Sequence, residues 1–92
     1  MYLTVTNQTI VLGVTAQKLP ASPLVGRKYI AIQNIGNVTV FLGNTMVTAD
    51  TAGTGGFQLL PKGTWREEFT HNVEPWGVIA SGSSEVYIEE GK

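Results

Sequence analysis

Short runs of alternating apolar and polar side chains cover most of the chain, and none has the spacing of a helix. Ile30 and Ile32 alternate with Tyr29, Ala31 and Gln33, and Val38, Val40 and Leu42 resume the pattern after Asn34-Ile35-Gly36-Asn37. A period of two puts successive side chains on opposite faces of a strand. The Asn- and Gly-containing tetrapeptide tolerates turn dihedrals. Residues 27–43 are therefore expected to form an antiparallel hairpin around which the rest is organised.

The other runs follow the same grammar. Residues 2–6 and 9–14 read as a tight hairpin across Asn7-Gln8, or as one strand interrupted by a bulge. Residues 15–26 carry Pro20 and Pro23, each of which fixes its own φ and extends its predecessor. They are expected as an extended arm, with Leu19 and Leu24 dipping into the body. Residues 46–48 suffice only for an edge strand, and 51–56 form a glycine-rich loop. Residues 57–60 read as a strand closed by the turn Pro61-Lys62-Gly63. In 64–70, Trp65, Glu67 and Phe69 share one face, so Glu67 marks either a bulge or a rim position beside a basic partner. Residues 76–81 and 84–90 are expected as a closing hairpin around Gly82-Ser83, with Val86 and Ile88 inward and Glu85, Tyr87 and Glu89 outward. Eight or nine short strands about ten residues apart, in one domain spanning 1–92, predict an all-β sandwich or barrel.

Composition sharpens this. Charged residues are 14% of the 92, against 42% apolar, where about 25% charged is usual. So little charge implies strands that face other protein on more than one side. The basic residues Lys18, Arg27, Lys28, Lys62, Arg66 and Lys92 are scattered and the net charge is −1, which leaves no electrostatic footprint for nucleic acid. Without cysteine there is neither a disulfide nor a thiolate metal site. Met1-Tyr2-Leu3-Thr4 lacks the features of a secretory signal, and no apolar run approaches the ~20 residues of a membrane-spanning helix. A soluble protein made in a cytoplasm is expected.

Candidate chemistry is sparse. His71 is the single histidine and Asp50 the single aspartate. Glu67, Glu68, His71 and Glu74 have spacing that would suit metal ligands on a helix, but this stretch alternates as a strand and runs into Pro75. Glu67 and Glu89 are the pair that glycosidase chemistry would require, and nothing in the pattern draws them together. No catalytic residue, metal ligand or cofactor is expected, and the chain does not read as an enzyme. The aromatic residues allow three roles. They can fill the core, Trp65 and Trp76 can stack on sugars, and Tyr29, Phe41 and Tyr87, opposite Ile30, Val40 and Ile88, can form a subunit interface. Arg27-Lys28 is either the solvated start of a strand or an anchor on an acidic surface.

One resemblance runs through the chain. Leu19-Pro20-Ala21-Ser22-Pro23-Leu24-Val25-Gly26-Arg27-Lys28, then Gln33-Asn34-Ile35-Gly36 and Val40-Phe41-Leu42-Gly43, resemble small virion proteins of tailed phages. Phe57-Gln58-Leu59-Leu60-Pro61-Lys62-Gly63, Trp76-Gly77-Val78-Ile79-Ala80-Ser81 and Ser84-Glu85-Val86-Tyr87 continue the ordered set, which covers roughly residues 15 to 90. Lys62 stands where that pattern often has a small residue. The resemblance implies a small jelly-roll-like β-sandwich that decorates a capsid as a cement or head-fibre protein. It also implies a homotrimer on the capsid exterior, with the major capsid protein as partner. On that reading Tyr29, Phe41, Tyr87, Leu19 and Leu24 are candidate subunit contacts, and Arg27, Lys28 and Lys18 candidate capsid contacts. The alternative is a carbohydrate- or receptor-binding domain of a fibre or baseplate, using Trp65 and Trp76.

Overall fold

A computed structural model describes residues 4–50, 55–68 and 74–92. The expected strand around Tyr2, much of the glycine-rich loop, Phe69 and His71 lie outside the described residues. The remainder is all β. One four-stranded sheet has the order β1 (Val5–Leu12), β8 (Ser84–Gly91), β3 (Tyr29–Asn34), β6 (Thr64–Glu68). The other has the order β2 (Gln17–Lys18), β7 (Trp76–Val78), β4 (Val40–Gly43), β5 (Phe57–Leu59). Every pairing is antiparallel.

The first strand pairs with the eighth, the second with the seventh, the third with the sixth and the fourth with the fifth. This is a long antiparallel ribbon wrapped on itself until alternate segments fall in opposite sheets, the jelly-roll arrangement. The contacts β3–β8 and β4–β7 close the wrap.

Three expected local pairings are overturned by this topology. β3 and β4 are not a hairpin, because β3 lies between β8 and β6 while β4 lies between β7 and β5 in the other sheet. β7 and β8 are separated in the same way, so residues 79–83 cross the sandwich and do not turn a hairpin. β1 is one unbroken strand, with a continuous register from Val5↔Gly91 to Leu12↔Ser84 and neither turn nor bulge at Asn7-Gln8. The edge strand expected at 46–48 is also absent. There the Asn44 side chain accepts from Met46 N at 2.8 Å and its carbonyl from Val47 N at 3.0 Å, a side-chain-capped turn.

Which side chains point inward follows the alternation closely. Ile30, Ile32, Val40, Leu42, Val86 and Ile88 join Leu12, Leu19, Leu59 and Ile79 in one buried cluster. Complete burial of each aliphatic side chain contributes about 1.5–3 kcal/mol. Leu19 reaches this core from the proline segment, whose Gln17-Lys18 pair is β2 itself. Glu67 sits opposite Ile30 in unbroken register, so its exposed position is the rim of an edge strand and not a bulge.

The crossing between β3 and β4 is held by Asn34, which is fully buried. Its side-chain nitrogen donates to Val38 O at 2.7 Å and Leu59 O at 2.9 Å, and its Oδ1 accepts from Gly36 N at 3.0 Å. Its backbone exchanges bonds with the β5–β6 turn, donating to Gly63 O at 2.9 Å and accepting from Lys62 N at 2.7 Å. In that turn Gly63 N donates to Leu60 O at 2.8 Å and Lys62 has φ 68°. Pro61 followed by a positive φ is type II geometry, which glycine fills without a steric penalty. Replacing Asn34 by alanine strands two carbonyls and an N–H, and should cost about 2–4 kcal/mol in urea unfolding. Asn34→Asp should fail similarly, because a carboxylate cannot donate. Lys62→Gly should be neutral or gain up to about 1 kcal/mol.

Candidate binding surfaces

The outer face of the first sheet is the most organised surface among the described residues. Alternation brings Asn7 and Thr9 of β1, Tyr87 and Glu89 of β8, Tyr29, Ala31 and Gln33 of β3, and Thr64, Arg66 and Glu68 of β6 to this side. Tyr29 lies flat across Gly91, where any Cβ would run into its ring. Its hydroxyl donates to Glu89 Oε2 at 2.8 Å, and the Tyr87 hydroxyl donates to Glu89 Oε1 at 3.4 Å. The Arg66 guanidinium stands 4.3 Å from the centre of the Tyr29 ring, within cation–π range. Arg66 also pairs with Glu68 at 3.1 Å. The face is polar, aromatic and internally hydrogen-bonded.

Glu89 affects the ionisation of its neighbour. Partial burial first, and then the Glu89 carboxylate, push the Tyr87 hydroxyl above its ordinary value of 10.0. Burial opposes the charged phenolate, and a carboxylate opposes it further.

The subunit contacts expected from sequence do not form one face. Tyr29 is only 3% exposed, covered by the chain's own Arg66 and Glu89 network. Phe41 lies on the outer side of the other sheet, opposite Val78, and both are buried. The β4–β5 loop folds back over that side, where Val47 stands against Gly43. Leu19 belongs to the core, Leu24 is half-buried, and Tyr87 remains partly accessible. The apolar residues on both faces of β3 and β4 thus find their cover within the protomer.

Arg27 also departs from expectation. It is neither a solvated strand start nor an accessible anchor, because its Nη1 lies 2.7 Å from Glu90 Oε2 with both side chains buried. Leu24 N donates to the same oxygen at 3.0 Å. Glu90 shares the inward parity of Val86 and Ile88, and a charge buried there requires a partner. That parity was the signal by which the pair could be found in the sequence. Lys28 is exposed and Lys18 half-buried on the other sheet, so the three basic residues form no single patch.

Trp65 and Trp76 are both half-buried but do not share a platform. Trp65 packs against the core from β6. Trp76 points outward from β7, since a Cβ on the adjacent Gly77 would meet core Leu12 and Leu19. Trp65 does line, with Leu42, Phe57 and Pro75, a mainly apolar cleft of about 320 Å³ whose rim carries Asn44 and Glu74.

No family model matches this chain, and no curated protein or solved structure is significantly similar to it.

Two measurements check these contacts. Arg27→Ala leaves the Glu90 carboxylate buried without its cation and should cost about 3–5 kcal/mol in chemical unfolding, whereas Arg27→Met with Glu90→Leu should recover much of the loss. For Tyr87, the folded value lies above the unfolded one, so its contribution to stability is complete below pH 10.0 and is lost as pH rises through the folded value. Glu89→Gln should move the Tyr87 titration down, followed by NMR of the labelled ring. An unchanged midpoint would mean that the carboxylate exerts no influence.

Proposed function

We propose that this protein is a non-enzymatic virion component that binds the outside of an assembled tailed-phage shell and stabilises it. The jelly-roll wrap carries the reading, because it is the architecture that the ordered sequence resemblance implies. The mechanism is mass action. A ligand that binds only the assembled, expanded shell stabilises that state by RT ln(1 + [L]/Kd), about 2.7 kcal/mol per site at a hundredfold excess over Kd. Weak individual contacts then sum over many copies. The partner is the major capsid protein, with no cofactor, nucleic acid or membrane involved. The exposed Lys28 and the half-buried Lys18 are the accessible basic contacts, since Arg27 is committed to Glu90. The homotrimer implied by the resemblance would use surfaces other than Leu19, Tyr29 and Phe41.

The Trp65–Phe57 cleft favours one second reading, a glycan- or receptor-binding domain of a fibre or baseplate, with an aromatic floor and polar rim. Co-sedimentation with expanded and unexpanded shells separates the two. Saturable binding to expanded shells, with raised shell melting, is expected. Absence of shell binding together with retention on surface glycans, abolished by Trp65→Ala, would replace the first reading by the second.

A further inference from the structure

The four sheet edges are protected very unequally. β6 ends the first sheet with the consecutive charges Arg66-Glu67-Glu68, all exposed. β2 is two residues long, carries Lys18 and is followed by Pro20. β5 is three residues long and is followed by Pro61. Charge, brevity and proline are the usual means by which an edge is kept from pairing with another chain. β1 has none of them. It runs for eight residues, VTNQTIVL, with no charge, no proline and no bulge.

Its unpaired backbone groups can be assigned. Thr4 N donates to Lys92 O at 3.0 Å and Lys92 N to Thr4 O at 2.9 Å, so Thr4 turns both backbone groups toward the last strand. Along an antiparallel ladder this direction alternates. In the unbroken register that follows, Thr6, Gln8, Ile10 and Leu12 also face β8, while Val5, Asn7, Thr9 and Val11 direct N–H and C=O away from the sheet. The outward set is centred on Gln8.

We infer that β1 is a self-pairing edge, joining two copies of this chain antiparallel about a two-fold axis through Gln8. The occupant follows from the strand's own symmetry. In this register Val5 faces Val11 of the second copy, Asn7 faces Thr9, Thr6 faces Ile10, and Gln8 meets itself. Every outward N–H and C=O from Val5 to Val11 finds a partner. Val5 and Val11, 50% and 57% exposed, become two cross-strand valine pairs that cover one another. A one-residue slip would turn inward-bonded groups to the contact and lose the ladder. The contact is isologous and closes on itself, uniting two four-stranded sheets into one. It does not rest on the shell reading, because it is a property of the chain alone.

The test is sedimentation velocity of the full chain over about 10–300 µM, the range suited to a small strand-edge contact. Asn7→Pro removes an outward N–H and leaves the ladder to β8 intact, and Thr9→Lys places a charge on the edge. Each should halve the wild-type mass or weaken association at least tenfold, while Thr64→Lys on the opposite edge leaves it unchanged. The chain lacks cysteine, so Gln8→Cys supplies a unique thiol. Opposed residues at a non-hydrogen-bonded position lie about 4.5 Å apart, within disulfide reach, and oxidation should link the copies rapidly. A wild-type chain no heavier than Thr9→Lys at the highest concentration would overturn the inference. So would association that survives both edge variants, or Gln8→Cys linking no faster than Thr64→Cys.

Discussion

The buried amide of Asn34 is the point at which the two sheets are made to belong to one another. A wrapped ribbon requires the chain to leave one sheet and enter the other several times, and each crossing exposes backbone groups that no ladder satisfies. At the β3–β4 crossing Gly36 N and Val38 O both bond to one side chain, that of Asn34. Because Asn34 also reaches Leu59 O and the Lys62-Gly63 turn, it couples the departure of β3 to the reversal between β5 and β6. Only an amide can donate twice and accept at once in so small a volume. The aliphatic core supplies most of the driving force, but it does not choose among pairings. The polar tie does.

The same logic recurs where charge is buried. Glu90 stands on the core side of the longest sheet, and its carboxylate draws in both Arg27 and the backbone of Leu24. The proline-containing segment is thereby fixed over one end of the sandwich. On the opposite face Glu89 receives two tyrosine hydroxyls and Arg66 covers one of the rings. Adjacent glutamates on one strand thus serve opposite sides of a sheet, one tying down a segment and the other organising a surface. Such a body is a rigid support whose recognition must come from its faces and edges, as the binding role proposed for it requires.

Much of the fold was legible in the sequence, within a definite limit. The parity of Ile30, Ile32, Val40, Leu42, Val86 and Ile88 identified the core side of three strands, because burial on one face imposes a period of two whatever the partner strand. Pairing was not legible. Two alternating runs joined by Asn-Ile-Gly-Asn look alike whether the chain turns back within one sheet or crosses to another, and β3–β4 and β7–β8 both cross. Tyr29 and Tyr87 were placed on the correct face, but the cover of Tyr29 comes from Arg66, a residue distant in sequence. Arg27 was misread for the same reason, its partner lying 63 residues away. Trp65 and Trp76 resembled a platform only while the sheets they belong to were unknown.

The strand pairing is tested most directly by backbone proton contacts in solution. Ile35 N bonds to Glu85 O, which makes Ile32 and Ile88 a non-hydrogen-bonded pair in the β3–β8 ladder, where the two Hα atoms approach closely. A strong Hα–Hα nuclear Overhauser effect between Ile32 and Ile88 is predicted, with none between Ile32 and the β4 backbone. Cross-strand Hα contacts from Ile32 to Thr39 or Val40 would instead mean a local hairpin, and would contradict the wrapped fold.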